Sequence, residues 1–191
     1  DKIFINTAGI GLINGENVHI GEGSRIKPGD LIILNGPVGD HGMAVLSARQ
    51  DLNIRSEIIS DCASLNGMIS QIMEVSEGVR FMRDATRGGL ATVLAELAEK
   101  RDFGVTLDES AIQVRPQVRA FCELLGFDPL YVANEGKVVI IAAANNAPRI
   151  LALLKQHDFG KDAAIIGEIT SDHPGKAWIK TQIGGKRILD M

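Results

Sequence analysis

Short apolar runs alternate with polar, glycine-rich stretches along most of the chain. Runs of this length, bounded by turn-forming residues, are typical of strands in a small buried sheet. They predict strands at residues 3–5, 8–13, 17–20, 31–34, 79–82, 105–107, 130–133, 137–143, 161–169, 177–180 and 186–189.

Apolar positions spaced three or four residues apart lie between several of these strands, and this spacing gives a helix one buried face. It predicts helices over residues 43–49, 65–72, 90–98, 118–125 and 147–154, with Gly126 ending the fourth and Asn146 capping the fifth. Strands and helices alternate irregularly rather than as repeated strand–helix–strand units. We therefore expect the α+β class, with a mixed β-sheet and helices packed on it.

The composition is that of an ordinary globular protein. With 191 residues, 45% of them hydrophobic and 23% charged, the chain forms one large domain or two small ones. A net charge of −4 argues against nucleic acid as the main partner. The longest apolar run, residues 138–144, is far shorter than the roughly 20 residues that a membrane helix needs. We expect neither a nucleic-acid nor a membrane partner.

The chain has two cysteines, Cys62 and Cys122, without a CxxC pair or histidines at metal-binding spacing. We therefore predict no disulfide framework and no metal site, and a reducing cytosol as the compartment. Cys62 comes just before a predicted helix, where the thiolate form can be favoured. A buried, inert thiol is nevertheless the favoured interpretation of Cys62, and Cys122 is predicted to lie in the core.

Residues 83–89 connect a predicted strand to a predicted helix and combine an acid, a hydroxyl, two arginines and two glycines. Asp84 or Thr86 could accept hydrogen bonds from the first N–H groups of the helix. The simplest structural interpretation is an N-cap followed by a tight turn. The alternative is an anion site, because the helix start is electropositive and glycine allows close approach of a ligand. The residues that would form it are Arg83, Arg87, Gly88 and Gly89.

Two further loops carry candidate residues. A glycine-rich loop over residues 35–42 precedes a helix, an order that suits phosphate or carboxylate binding. Asp40 and His41 there are interpreted as a cap and a solvated histidine, or alternatively His41 faces a cleft as a proton carrier. Asn134 and Gly136 predict a turn with Glu135 at its tip, where an ordinary exposed acid is the simplest interpretation.

Taken together, these loops resemble the PurM-like superfamily, which includes aminoimidazole ribonucleotide synthetase, selenophosphate synthetase and thiamine-monophosphate kinase. Within it, the chain is most similar to the HypE family of hydrogenase maturation proteins. The motifs that carry this resemblance are Phe4-Ile-Asn-Thr7, Lys27-Pro-Gly-Asp30, Gly36-Pro-Val-Gly-Asp-His-Gly42, Ser60-Asp-Cys-Ala63, Asp84-Ala-Thr-Arg-Gly-Gly89, Asn134-Glu-Gly-Lys137 and Gly160-Lys-Asp-Ala-Ala164.

The resemblance implies that residues 1–191 form a PurM C-terminal domain. It also implies a dimerising, ATP-binding domain before residue 1 and a Pro-Arg-Ile-Cys tail after residue 191, neither of which is in this sequence. ATP with magnesium would bind mainly to that missing domain. We therefore expect this chain alone to bind ATP poorly and to lack turnover.

The resemblance further implies a reaction on the protein itself. HypF carbamoylates the terminal cysteine, ATP-dependent dehydration turns the thiocarboxamide into a thiocyanate, and the HypC–HypD pair receives the cyano group for the iron of NiFe-hydrogenase. A base must remove a nitrogen proton. Glu135 is the first candidate, with Asp84 and His41 as further catalytic candidates. The candidate nucleotide-binding residues are Asp84, Thr86, Arg87, Gly88, Gly89 and Asn134.

Two other functions remain open. The chain could belong to another PurM-like synthetase or kinase that acts on a small phosphorylated molecule, or it could be a non-catalytic module that docks partner proteins.

Overall fold

A computed structural model describes residues 8, 10–13, 15–49, 57–75 and 77–190. The strands of this part of the chain are β1 (Leu31–Leu34), β2 (Val79–Asp84), β3 (Gly104–Asp108), β4 (Val138–Ala142), β5 (Ala164–Thr170), β6 (Ala177–Lys180) and β7 (Lys186–Leu189). The α-helices are α1 (Val18–Glu22), α2 (Asp40–Ser47), α3 (Asn66–Val75), α4 (Gly89–Ala98), α5 (Pro116–Leu125) and α6 (Ala147–Gln156). Short 3-10 helices cover Gly15–Asn17, Glu109–Ala111, Pro129–Tyr131 and Asp158–Gly160.

The described strands form one seven-stranded sheet in the order β2-β4-β1-β5-β3-β6-β7. Neighbouring strands are antiparallel except β3 and β6, which are parallel. The sheet is therefore mixed and carries packed helices, which confirms the predicted α+β architecture.

Helices cover both faces of the sheet, so its central strands are apolar on both sides. In β1, Ile32 and Leu34 pack in the same cluster as α4, whereas Ile33 packs with α3 and α6 on the opposite face. This two-sided burial explains why β1 and β4 are continuous apolar runs instead of alternating patterns. A smaller third cluster joins α2 to α5 through Met43, Val118 and other residues.

Two of the predicted strands are wholly or partly helical instead. Residues 17–20 belong to the first 3-10 helix and to α1. Of residues 130–133, the first two end the 3-10 helix Pro129–Tyr131 and the other two follow it. In the second case the Asp128 side chain accepts a hydrogen bond of 2.9 Å from the Leu130 N–H. Together with Pro129 at the first helical position, this local bond outweighs the strand propensity of the apolar run.

Other predictions need smaller corrections. The helix predicted at residues 43–49 begins earlier, at Asp40, and the strand predicted from residue 161 begins at Ala164. Asn146 does precede α6, but its side chain makes no capping hydrogen bond with the described residues. Residues 8 and 10–13 contain no strand, while the predicted strand at residues 3–5 and the motif at residues 4–7 lie outside the described residues. Within the described ranges, every helix is too short or too polar to cross a bilayer.

Candidate active site

The predicted loops meet at one end of the sheet. β1 and β2 finish there and β4 begins there, because Leu34 pairs with Val139 and Asp84 pairs with Val138. The Ala85 N–H donates to the Lys137 carbonyl over 3.1 Å, and the Asn134 N–H donates to the Ala85 carbonyl over 3.2 Å. The structure thus brings the loop at residues 84–89 directly beside the loop at residues 134–137.

Asn134 is fully buried and ties three loops together. Its Oδ1 accepts a hydrogen bond of 2.8 Å from the Gly39 N–H. Its Nδ2 donates to the carbonyl groups of Ala85 and Val132 over 2.9 and 3.1 Å. Both N–H bonds of the amide are used inside the protein, so in this conformation Asn134 supports the loop architecture.

Asn35 plays the same part from the end of β1, and the sequence pattern does not single it out. Its Nδ2 donates to the carbonyl groups of Gly136 and Phe159 over 3.0 and 2.8 Å. Its Oδ1 accepts a hydrogen bond of 2.8 Å from the Val138 N–H. The only sequence signal is a polar residue directly after a buried strand.

Asp61 and Lys137 form a buried ion pair under the same loop. Their Oδ2 and Nζ atoms lie 2.8 Å apart, and only 4% and 9% of the two side chains are exposed. The other carboxylate oxygen, Oδ1, accepts a hydrogen bond of 3.1 Å from the Glu135 N–H. Neither residue was predicted as functional, although both lie inside motifs that carry the family resemblance.

Gly136 allows these two segments to pack in direct contact. A Cβ atom at this position would lie 1.9 Å from the Asp61 carbonyl oxygen, which no side chain could tolerate. The glycine of this motif is therefore required by close approach of two backbones.

Glu135 is the exposed member of this tightly held loop. The exposed fraction of its side chain is 44%, and its Oε1 lies 3.9 Å from His41 Nε2. His41 Nδ1 shares a hydrogen bond of 2.9 Å with the Ser60 hydroxyl. With 24% of its side chain exposed, His41 is held between two partners. The interpretation of His41 as a solvated histidine is wrong, and the structure brings it together with Glu135.

Asp40 lies next to His41 but faces the protein. It is the first residue of α2 rather than its cap, since the N-cap is Gly39. Its Oδ2 pairs with Arg115 Nε at 3.0 Å, and its buried Oδ1 has no hydrogen-bond partner within the described ranges. Burial raises the pKa of Asp40, while the nearby Arg115 guanidinium opposes that rise.

The loop at residues 84–89 differs in part from its prediction. Gly88 is the N-cap of α4 and no side chain of the described residues caps the helix, so capping by Asp84 or Thr86 is wrong. Instead, the Thr86 hydroxyl donates to the Asp84 carboxylate. Arg87 is exposed. Arg83 is held by Glu96 at 2.6 Å, which removes it from the predicted anion site.

The two adjacent glycines are required by the backbone, as predicted. Gly88 and Gly89 have φ angles of 73° and 65°, in the left-handed region that glycine adopts without strain. A Cβ atom on Gly89 would also lie 2.5 Å from the Leu130 carbonyl oxygen.

A cavity of about 430 Å³ adjoins this end of the sheet. None of the candidate catalytic or nucleotide-binding residues lines it, but part of the glycine-rich loop at residues 35–42 does, together with the buried ion pair and Cys62. Cys62 is exposed, so its interpretation as a buried thiol is wrong. Cys122 is buried as predicted, and burial raises the pKa of its thiol. The residues that line the cavity include Asp40, Asp61, Cys62, Arg115, Lys137 and Lys161.

Comparison with known proteins agrees with this architecture. The model of the family "AIR synthase related protein, C-terminal domain" matches residues 27–180. Carbamoyl dehydratase HypE of Cupriavidus necator is 47% identical over 190 residues, which is 100% of this chain and 54% of that protein. The chain therefore spans about half the length of the curated relatives that it matches.

Solved structures show the same similarity. A crystal structure of hydrogenase maturation protein HypE in complex with ATP matches with a TM-score of 0.83 and 40% identity, over 90% of this chain and 53% of that one. HypE in a HypE–HypF complex matches with a TM-score of 0.80 and 42% identity, over 86% and 53% of the two chains. The family match covers most of the described sheet and all the loops of the candidate site. The chain therefore belongs to the family of AIR synthase related proteins, C-terminal domain.

Proposed function

We propose that this chain is the C-terminal domain of an ATP-dependent carbamoyl dehydratase of hydrogenase maturation, with Glu135 as its proton-accepting residue. The observation that carries the proposal is the loop at residues 134–137. Buried side chains fix its backbone on three sides, while the Glu135 carboxylate remains exposed at the end of the sheet. Similarity to HypE proteins over the whole chain supports the choice of reaction.

The proposed reaction turns a thiocarboxamide into a thiocyanate: the amide oxygen leaves as phosphate, ATP becomes ADP, and the nitrogen loses both of its protons. ATP, when bound, supplies the phosphoryl group that makes the amide oxygen a good leaving group. The chain itself must then accept a proton from the amide nitrogen. An exposed carboxylate on a rigid backbone suits this task, because general bases act only when held at hydrogen-bonding distance from the proton.

His41 is the second candidate in the same place. With its Nδ1 engaged by Ser60, its Nε2 is the ring nitrogen that faces the Glu135 carboxylate. In that position the ring can steady the carboxylate or receive the proton that Glu135 has taken up.

The residues of this domain fit a nucleotide only in part. Arg87 and the backbone of Gly88 and Gly89 lie at the start of α4, where an anion is favoured. Asp84 offers a carboxylate of the kind that Mg²⁺ prefers. A triphosphate carries more charge than one arginine can offset. We therefore place most of the ATP and Mg²⁺ site on an N-terminal half that precedes these residues and forms the homodimer.

The partners follow from the same proposal. A HypE relative has been crystallised with HypF, and we propose a HypF-type carbamoyltransferase as the donor for this protein. A HypC–HypD-type pair would take the cyano group. The acceptor would be a cysteine in a tail beyond residue 191, because Cys122 is buried in α5 and Cys62 lies within the fold, in the segment before α3.

The test uses the full-length protein that contains this domain, carbamoylated on its terminal cysteine. We expect Glu135→Gln to reduce ATP-dependent loss of water, followed by mass spectrometry, by about 100-fold or more. Binding of the HypF-type partner should be unchanged. Glu123→Gln, which alters an exposed acid on α5, is the matched control. A Glu135→Gln protein that dehydrates its tail at the normal rate would exclude Glu135 as the base.

A further inference from the structure

Asp61 is a buried carboxylate that the proposed reaction does not yet use. It precedes α3 and lies far from Glu135 along the chain, yet it contacts the segment around Glu135 with both of its oxygen atoms. One oxygen accepts the Glu135 N–H, and the other pairs with Lys137. The two residues on either side of Gly136 are thus held by a single side chain.

This arrangement fixes the position of a side chain that is itself exposed. The Glu135 carboxylate has no buried partner among the described residues, so its location depends on the backbone that carries it. Asp61 holds that backbone at its N–H group over 3.1 Å, and only 4% of the Asp61 side chain is exposed, so the acceptor itself is fixed within the fold. Displacing a catalytic group by about 1 Å can cost on the order of 100-fold in rate.

We propose that Asp61 is a positioning residue that holds Glu135 in its reactive place through the hydrogen bond to the Glu135 N–H. This inference rests on the proposed function, in which Glu135 accepts the proton. Asp61 touches neither substrate nor nucleotide in this role. It acts through the backbone of Glu135, and the ion pair with Lys137 orients the carboxylate so that Oδ1 faces that backbone.

Lys137 complicates a simple substitution of Asp61. Removing one partner of a buried ion pair leaves an uncompensated charge and strongly destabilises the fold, whereas replacing both by uncharged residues is often neutral. Asp61→Ala alone would therefore confuse lost positioning with lost folding. Two double variants separate these effects, and both carry Lys137→Met.

The first variant combines Lys137→Met with Asp61→Asn, which keeps a side-chain oxygen that can accept the Glu135 N–H. The second combines Lys137→Met with Asp61→Leu, which has the same branching at Cγ but no acceptor. Both lack the ion pair, so they differ chiefly in the hydrogen bond to Glu135. Urea unfolding of each full-length variant reports whether the fold is retained.

In the carbamoylated full-length protein, we expect single-turnover dehydration to be about 10- to 100-fold faster in the Asn variant than in the Leu variant. The KM for ATP should be the same in the two. Hydrogen exchange at the Glu135 amide, measured without any substrate, should be fast in the Leu variant and slow in the Asn variant. Equal rates and equal exchange in the two folded proteins would overturn the role of Asp61.

Failure of this inference can be told apart from failure of the proposed function. When Glu135→Gln abolishes dehydration but the two double variants react equally fast, only the positioning role is lost. When Glu135→Gln has no effect, the base assignment is wrong whatever Asp61 does. Adding Asp61→Leu and Lys137→Met to Glu135→Gln should cause little further loss, because Asp61 acts only through Glu135. A large additional loss in that background would contradict the inference.

Discussion

Asp40 and Glu135 are two carboxylates at the same end of the sheet with opposite surroundings. Asp40 is buried and has one unpartnered oxygen among the described residues, whereas nearly half of the Glu135 side chain is exposed. Burial penalises the charged form of Asp40 and raises its pKa, even with Arg115 at 3.0 Å. Proximity to the loops therefore does not by itself leave a carboxylate accessible to a substrate.

The raised pKa of Asp40 predicts how stability depends on pH. The folded state holds this proton more tightly than the unfolded state, whose carboxyl titrates near 3.8. The contribution is fully present below pH 3.8 and is lost as pH rises through the folded pKa. Asp40→Asn should therefore gain stability relative to wild type as pH rises. The gain is about 1.4 kcal/mol for each factor of ten by which the folded state binds the proton more tightly.

Urea unfolding of wild type and Asp40→Asn from acid to neutral pH measures this difference. Asp108→Asn is the control of opposite sign, because hydrogen bonds from Ser110 lower the pKa of Asp108. A free-energy difference between wild type and Asp40→Asn that stays constant across the range would show that burial does not perturb Asp40.

At the scale of residues, the sequence identified exposed candidates better than buried ones. Glu135, Asp84 and Arg87 are exposed and stand out locally, as a turn acid and as parts of a strand–helix connection. Asn35 and Asp61 do not, because their partners are distant in sequence: Asn35 and Gly136 are separated by 101 positions. The hydrogen bonds that define their roles exist only once the sheet has brought those segments together.

At the scale of elements, the connection between β2 and α4 depends on a single backbone conformation. Gly89 has a φ angle of 65° and packs against the carbonyl oxygens of Leu130 and Val132. Gly126, after α5, has a similar φ angle of 72° but open space around it. Both positions require a left-handed backbone conformation, but only Gly89 also lacks room for a Cβ atom.

This contrast predicts different costs for the same substitution. Gly126→Ala should lower the free energy of unfolding by about 1 kcal/mol, which is the strain of a left-handed alanine. Gly89→Ala adds a clash with fixed backbone and should cost about 3 kcal/mol or more. Chemical denaturation of the two variants provides the comparison. Equal losses would mean that the backbone at Leu130 and Val132 moves to accept the added methyl group at little cost in free energy.

The accuracy of the predicted elements also has a physical explanation. β6 and β7 begin and end where predicted, and β1 does as well, since turn residues bound each run. The runs at residues 17–20 and 130–133 were misassigned because both are only four residues long, and a run of that length fits a strand or one turn of a helix equally well. Their environment decided the outcome: Leu130 packs in the main core beside α4.

At the scale of the molecule, the fold places the candidate site at one end of the sheet. Helices bury both faces of the sheet, and the ends of β1 and β2 and the start of β4 place three loops together. The cavity beside them is lined by five carboxylates and three cationic side chains; the acids are Asp40, Glu57, Asp61, Asp158 and Asp162. This mixture does not favour a polyanion such as a triphosphate.

The distribution of charge leads to a prediction about the 191-residue chain alone. Arg83 is engaged by Glu96 and Lys137 by Asp61, which leaves Arg87 as the cation of the loop at residues 83–89 that has no ion pair among the described residues. We expect ATP to bind with a Kd of roughly 1 mM or weaker. At 1 mM ATP, linkage then adds at most about 0.4 kcal/mol, a shift in melting temperature of roughly 1–2 °C. The protein that also contains the N-terminal half should melt several degrees higher under the same conditions. Low-micromolar ATP binding to the isolated chain in calorimetry would instead place the main nucleotide contacts within these residues.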